Sequence, residues 1–480
     1  MGTCEDMCPQ VERYQRHREK LVHKLEWPGA LEGMVWISGE ESRASVDSRG
    51  AGVGSVGDIQ AALQRTMIKR YQRSSADHNL QIPELLRTPA ALYQTVKYIE
   101  ENILMLLDIP PQTSSHTPSQ TSSHKLSNKL LDASSHAHPS IPTHTLSSKD
   151  ILSIYLLVFD RYRMVHKDLC LQPALRSTSS ILRVRVLEHV VRAFVYLDWY
   201  MCHVDCMRSD GHSESEGEGG VWKEYVGIHR AHHLEQLGNL LKTLMIWYAE
   251  YSDGHGDGHG GSNGGGVTSH KDEFVGYYII FLTITQSNEV CKFLRTISPS
   301  QFHYTQYHYQ HHVDFAIRIH VCVCTNDYNG FFKLYRSCSV MQACMMYALI
   351  VRMRLRAIQM ICKACYAPSP SSSPLSGSLY PLNHLNTLLA CGGLDECVKL
   401  VKASGLEVHV HTQLHTTLAG KGDGNADGVQ PYVVLTRTFS IPSSDLVYGV
   451  GDGGNVWDKR KRGGSDGMYS VLDMCRGVCA

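Results

Sequence analysis

Along most of this chain apolar residues return every three or four positions, the period of a helix with one buried face. Ile151, Ile154, Val158, Tyr162, Val165 and Leu169 form one such stripe. Val184, Leu187, Val191 and Val195 form a second, and Leu234, Leu237, Leu241, Met245 and Tyr248 a third. The longest runs through Val340, Cys344, Tyr347, Val351, Leu355, Ile358, Cys362 and Cys365, with Arg352, Arg356, Gln359 and Lys363 on the opposite side. Nearer the start, Leu92, Val96, Ile99, Ile103 and Leu106 predict a helix with Thr88 as its N-cap and Pro89 at its first position. A shorter helix is predicted over residues 57–73. Helices in succession without intervening strand signals predict a mostly α fold, a helical array or superhelix. No fixed-period repeat supports a consensus TPR.

The pattern changes after Tyr366. Residues 367–378 read as a Pro- and Ser-rich linker, followed by short helices over 382–390 and 394–404 joined by Cys391-Gly392-Gly393. Residues 407–411 and 432–439 alternate apolar and polar and read as strands. Helix, Gly-containing turn, helix and hairpin is the order of a winged helix with a small β hairpin. Several stretches have almost no apolar periodicity: a loop at 31–56, a Ser/Thr/His/Pro-rich insert at 109–147, and Gly-rich inserts at 208–220 and 252–270. Such composition buries too little surface to offset the entropy of ordering, so disorder is expected there.

Charge narrows the function classes. Lys plus Arg and Asp plus Glu number 46 each in 480 residues, so any attraction to nucleic acid must come from a local patch. Residues 1–20 are polar and charged, so no secretory leader is expected. No apolar run reaches the roughly 18 residues of a membrane span. The 16 cysteines fall mostly within apolar helical patterns and read as reduced thiols.

Candidate chemistry is sparse. Gly52, Gly54 and Gly57 match a dinucleotide fingerprint in spacing, but no apolar strand precedes them, so they read as loop glycines. Asp423, Asn425, Asp427 and Gly428 imitate half an EF-hand, but Val434 stands where a bidentate Glu is needed. Cys4 with Cys8, Cys202-His203 with Cys206, and Cys362 with Cys365 are half zinc sites at most, and core packing is the preferred reading of the last pair. His255 and His259 lie in a polar Gly-rich loop. No nucleophile elbow, HExxH or P-loop motif is present, so neither catalysis, a cofactor nor a small-molecule substrate is expected. The basic candidates are Arg352, Arg356 and Lys363 on the long helix, Lys399 and Lys402 on the second winged-helix helix, and Lys459 to Arg462 in the tail, which also reads as a nuclear localisation signal. Asp395 and Glu396, at the start of that second helix, would repel phosphate.

The opening residues carry a further signal. Gly2, Thr3, Cys4, Asp6, Met7, Cys8 and Pro9, followed by Glu12 and Arg13, resemble the signature of the SAC-three/GANP family, with Gln10 in place of the usual Glu. Lys69 to Arg73 with Ser74 and Ala76, and Pro83, Leu86 and Arg87, are similar to later family segments. So are Phe159, Asp160, Arg161 and Arg163 through Lys167, Asp168 and Leu169, where His166 replaces the usual Arg. His233 to Leu237, Asn326, Asn329, Phe331-Phe332, Pro381-Leu382 and Gly405-Leu406 continue the match in order.

The resemblance implies a PCI-like helical superhelix ending in a winged helix. It also implies a scaffold of the TREX-two messenger-RNA export complex, placed in the nucleus and at nuclear pores. Its implied partners are a PCI-domain protein and a small acidic peptide subunit, with RNA as a further candidate. Two alternatives stand beside it: a centrosome or spindle-assembly factor of the same family, and a PCI-like subunit of a proteasome-lid or translation assembly in the cytoplasm. The resulting division is 1–30 for signature and first helix, 57–108 helical, 148–366 superhelix, 367–440 winged helix and 441–480 a basic, Gly-rich tail.

Overall fold

The computed structural model describes residues 2–27, 56–73, 82–108, 146–172, 178–208, 221–252, 270–297, 311–366, 378–411 and 430–435. The expected inserts, save residues at their edges, lie outside these, as do Gly52 and Gly54, His255 and His259, the EF-hand-like stretch from Asp423 to Gly428, and the tail. The chain divides into two compact units, Met1–Pro173 with Asp210–Glu214, and Ala174–Ser209 with Ser215–Ala480. No described helix is long and apolar enough to cross a membrane.

In the first unit, α1 (Gln10–Arg18) packs on α2 (Val56–Thr66), and α3 (Pro89–Tyr98) on α4 (Ser148–Cys170). Thr88 caps α3 as expected, its Oγ1 accepting from the Ala91 N–H at 3.2 Å, with Pro89 in the first turn. Ser147 and Asp150 form a reciprocal capping box at the start of α4. The α4 stripe is buried, and Cys8, Leu63 and Met67 form a separate small core with Val22 and Ile59 against it.

The second unit is a run of helices: α5 (Thr178–Arg208), α6 (Val221–Glu224), α7 (Arg230–Ser252), α8 (Lys271–Thr285), α9 (Ser287–Thr296), α10 (His311–Thr325), α11 (Tyr328–Ser337) and α12 (Val340–Cys365). α7 packs on α5, α8 on α7, α10 on α8 and α11 on α10, and α12 runs back over α5 and α8. α8 is buried on every side from Asp272 to Thr283, so it shows no stripe to read in the sequence.

A winged helix follows: β1 (Ser378–Pro381), α13 (Leu382–Leu388), α14 (Leu394–Ala403), β2 (Glu407–His411) and β3 (Gln430–Leu435). The antiparallel sheet has the order β1-β3-β2, with Leu379 opposite Val434 and Val408 opposite Val433. The expected mostly α class ending in a winged helix is therefore the class observed, with a third strand added to the hairpin. β1 begins at Ser378, the last residue of the expected linker. It is short, lies at the sheet edge and ends in a proline, which offers no N–H to a ladder. Leu382, Leu385, Leu389, Cys397, Leu400 and Val401 supply the module's core with Val433 and Leu435. At the end of α14, Gly405 takes a φ of 75°, and its N–H and that of Leu406 return to the carbonyls of Lys402 and Val401.

Candidate functional site

The signature residues serve first as a fastening. Gly2 passes so close to Leu86 that a Cβ there would lie 2.3 Å from its carbonyl oxygen. The Thr3 and Cys4 N–H groups donate to the carbonyls of Pro83 and Leu86, and Thr88 N–H donates back to Cys4 O. The Met7 carbonyl accepts from Lys69 N–H at 3.0 Å and from the Arg87 guanidinium at 3.3 Å. This short strip thus joins segments that lie about 60 to 80 residues further along the chain.

Beneath the strip lies a buried ion network. Asp168 of α4 is fully buried and accepts from Lys69 Nζ at 2.9 Å on one oxygen and from Arg87 Nε at 2.7 Å on the other. Gln172, one turn on, donates to the carbonyls of Arg87 and Asp168, both at 2.9 Å. A second centre is Glu26, also fully buried, which pairs with Arg16 and, at 3.1 Å, with Arg161, and accepts from Ile68 N–H at 3.1 Å. Burial alone would raise the Glu26 carboxyl, but Arg161 and Arg16 outweigh it and hold the group below its ordinary value. Glu12 accepts from Arg70 N–H at 2.8 Å, yet burial dominates there and its carboxyl is raised. Asp160 pairs with Arg161 and accepts from Tyr71 N–H, and the Arg163 guanidinium lies 3.8 Å from the centre of the Tyr71 ring. At the strip itself, Asp6 is held by Arg13 at 2.7 Å and by Gln64 at 2.8 Å, and Arg13 also donates to Cys8 O. Pro9 precedes α1 without a side-chain cap.

Signature residues from Gly2 to Arg13, and Asp160, Arg161, Arg163 and Asp168 from α4, are thus gathered in one unit. They do so around Glu26, Lys69 and Arg87, which the sequence reading did not place at a site. Cys4 Sγ lies 3.4 Å from Asp6 O, whereas Cys8 is in the apolar cluster, where burial pushes its thiol well up. Among the described residues no three His, Cys, Asp or Glu side chains are grouped to hold a metal. Burial drives His166 down to about 4, so it is neutral at pH 7 where the family pattern has a charge.

The second unit places the other candidates. Arg352, Arg356 and Lys363 are exposed on α12. Arg356 donates to Asn326 Oδ1 at 3.1 Å and to Gln359 Oε1 at 2.7 Å. The apolar stripe is buried through Cys362 except at the half-buried Leu355, but Cys365 is exposed: the last turn has left the core, and the expectation that it packs there is corrected. Lys399 and Lys402 are exposed on α14. Between the two sets stands Arg354, buried on α12. Its guanidinium donates to Leu389 O at 3.1 Å and Ala390 O at 2.7 Å, and pairs with Glu396 at 2.8 Å. Ala390 holds the turn with a φ of 50°, and Glu396 also accepts from Gly392 N–H. Arg336 of α11 donates to the carbonyls of Thr387 and Leu388. Two arginines thus fasten the α13–α14 turn onto the helices before it. Glu396 is compensated by Arg354, which removes half of the expected phosphate repulsion at the start of α14; Asp395 remains exposed.

Sequence reasoning passed over Arg354, although a signal was present: it stands three residues after Val351 and four before Ile358, inside the apolar stripe. The interior of the unit is also polar in places. Asp198 accepts from Tyr225, Arg230 and Tyr347, and Glu273 is clamped by Arg192, which overcomes burial and holds the carboxyl at about 2. Cys202, with its Sγ 3.1 Å from Tyr347 Oη, is raised by burial to about 12.

These features define a class: a helical protein whose buried charges fasten its own segments, with a winged helix braced on a long helix and cations left on its surface. Residues 7–117 and 141–410 match the model of the SAC3/GANP family, and the chain belongs to that family. SAC3 family protein B of Arabidopsis thaliana is 22 % identical over 365 residues, which is 75 % of this chain and 15 % of that protein. The chain therefore spans about 15 % of the length of this curated relative. Membership supports a scaffold role of the family's general kind.

Proposed function

We propose that this chain is a non-enzymatic scaffold of a nuclear messenger-RNA export complex of the TREX-two kind. In this reading it binds a PCI-domain partner together with a small acidic peptide subunit, and RNA, through the winged-helix end, and it works in the nucleus at or near pores. The observation that carries the reading is the arrangement around α12. Its inner side holds the winged helix through Arg354, while Arg352, Arg356 and Lys363 face outward and Lys399 and Lys402 stand exposed on the braced helix. Exposed cations on a rigid support suit recognition of phosphates or of an acidic protein face.

The test is affinity purification of the tagged chain from its own cells, beside the Arg352→Glu, Arg356→Glu double variant. The expected result is recovery of a PCI-domain protein, a small acidic subunit and RNA with the unaltered chain, and their loss from a double variant of unchanged thermal stability. Recovery of centrosomal or tubulin-associated proteins in their place would overturn the export reading. Unchanged recovery with the double variant would reject this face as the contact.

A further inference from the structure

Two cysteines meet in the turn that Arg354 and Arg336 fasten. Cys391 follows Ala390, the residue with a φ of 50°, and its N–H returns to Asn386 O at 3.2 Å. Cys397 lies in the first turn of α14, where its N–H donates to Gly393 O at 3.2 Å. Between them Gly392 N–H donates to the Glu396 carboxylate, which draws the start of the turn onto the start of the helix. The cysteines flanking that link therefore come side by side, and the Cys397 thiol donates to the Cys391 sulfur. Their surroundings differ. Cys397 is fully buried, whereas Cys391 is half-buried and within reach of a small molecule. Arg354 donates to Leu389 O and Ala390 O, so its guanidinium stands beside Cys391. The hydrogen bond from Cys397, with help from Arg354, outweighs burial and the Glu396 charge and holds the Cys391 thiol below its ordinary value. The same hydrogen bond, together with burial, pushes Cys397 up, so the shared proton stays on Cys397. A reachable sulfur that favours the thiolate, next to a second cysteine able to resolve it, is the arrangement of a redox-sensitive pair.

We infer that Cys391 and Cys397 are a modification site, a dithiol that hydrogen peroxide converts to an intrachain disulfide, with Cys391 reacting first and Cys397 resolving it. The Cys391 thiolate attacks one oxygen of the peroxide. The S–O bond forms as the O–O bond breaks, and the hydroxide released becomes water with the proton that Cys391 gave up. The Cys397 sulfur then attacks the resulting sulfenic sulfur. The S–S bond forms as the S–O bond breaks, and the departing hydroxide takes the Cys397 proton to become a second water. Two thiols lose two electrons, and one peroxide gains them, with no other reactant. The bond closes the turn by which the winged helix is fastened to α12, so the oxidation mark falls on that joint.

The test treats the full, dilute chain with hydrogen peroxide, blocks the remaining thiols in acid and maps the peptides without reduction. Cleavage after Tyr380 and before Asp395 separates Cys391 from Cys397, and both from Cys365. The expected product is a linked pair of fragments carrying Cys391 and Cys397. It should form roughly tenfold faster than oxidation of the exposed Cys291, Cys324 and Cys365. Cys397→Ala should leave Cys391 as a sulfenic acid that dimedone traps, and Cys391→Ala should leave Cys397 a thiol. Absence of the linked fragments once the exposed cysteines are oxidised would overturn the inference. So would Cys391 joined to Cys365 or to a second chain, or oxidation of Cys397 in the Cys391→Ala chain while that variant keeps its thermal stability. If either variant melts early, the unaltered chain decides alone, and a rate at the pair no faster than at the exposed cysteines counts against the inference.

Discussion

Asp168 stands between Lys69 and Arg87 with no water-facing side, so its charge is the counter-ion of two buried cations at once. Removing one partner of a buried pair leaves the others uncompensated, at a cost of about 3–5 kcal/mol. Asp168→Asn keeps the shape and removes the charge, and chemical denaturation should report a loss of that order. Asp160→Asn is the comparison: this carboxylate is 30 % exposed, and its loss should cost less than half as much. Similar losses for the two variants would show that the network is not centred on Asp168. The same reasoning explains why a Gly is placed at position 2, where any side chain would strike Leu86. The signature thus has a physical reading as a set of residues that close the first unit, independent of any partner.

At the level of elements, the α13–α14 turn is fastened by Arg354 as well as by Arg336 and its own apolar contacts. Arg354→Met fills the same space but abandons two carbonyls and leaves Glu396 without its cation, at about 1–3 kcal/mol for each buried group left unsatisfied. Hydrogen exchange should then quicken in α13 and α14 while α12 stays protected, whereas Arg352→Ala, on the exposed side, should shift stability by no more than about 0.5 kcal/mol. Uniform exchange across α12–α14 in Arg354→Met would mean that the turn is held by something else. Arg354 also marks where the sequence was legible and where it was not. Helices with one buried face, such as α4 and α12, were readable from their stripes, and so was the order of the winged helix. α8 was not, because burial on all sides erases the period, and β1 was not, because an edge strand of four residues ending in proline has almost no pattern. Glu26 and Arg354 escaped notice, and Lys69 and Arg87 entered only as parts of family-like segments, because the partners that make their burial tolerable are distant in sequence.

Across the whole molecule the buried histidines set how the protein meets acid. Burial holds His23 and His166 in the first unit, and His203 and His233 in the second, at about 4 instead of 6.5. A histidine whose folded pKa is depressed charges first in the unfolded chain. Its neutral form supports the fold fully above about pH 6.5, and that support is lost as pH falls toward 4, at about 1.4 kcal/mol per pH unit for each histidine. Glu12 and Glu188 act the other way. Burial raises them, so they bind protons in the folded state first and add stability as pH falls toward their unfolded value of 4.5. Glu26, Glu273 and Asp198 are held low by their arginines despite burial, and their contribution fades only below their unfolded values. Four histidines against two raised carboxyls give a net loss between pH 6.5 and 4.5, and a further loss below it. The denaturant midpoint followed by circular dichroism should therefore fall steadily through that window, and His23→Gln, which keeps a hydrogen-bonding group near Ser153, should flatten the fall in the first unit. A midpoint that is level from pH 6.5 to 5 would mean that these rings meet enough water to titrate as free histidines do, and the packing assigned to them here would have to be wrong.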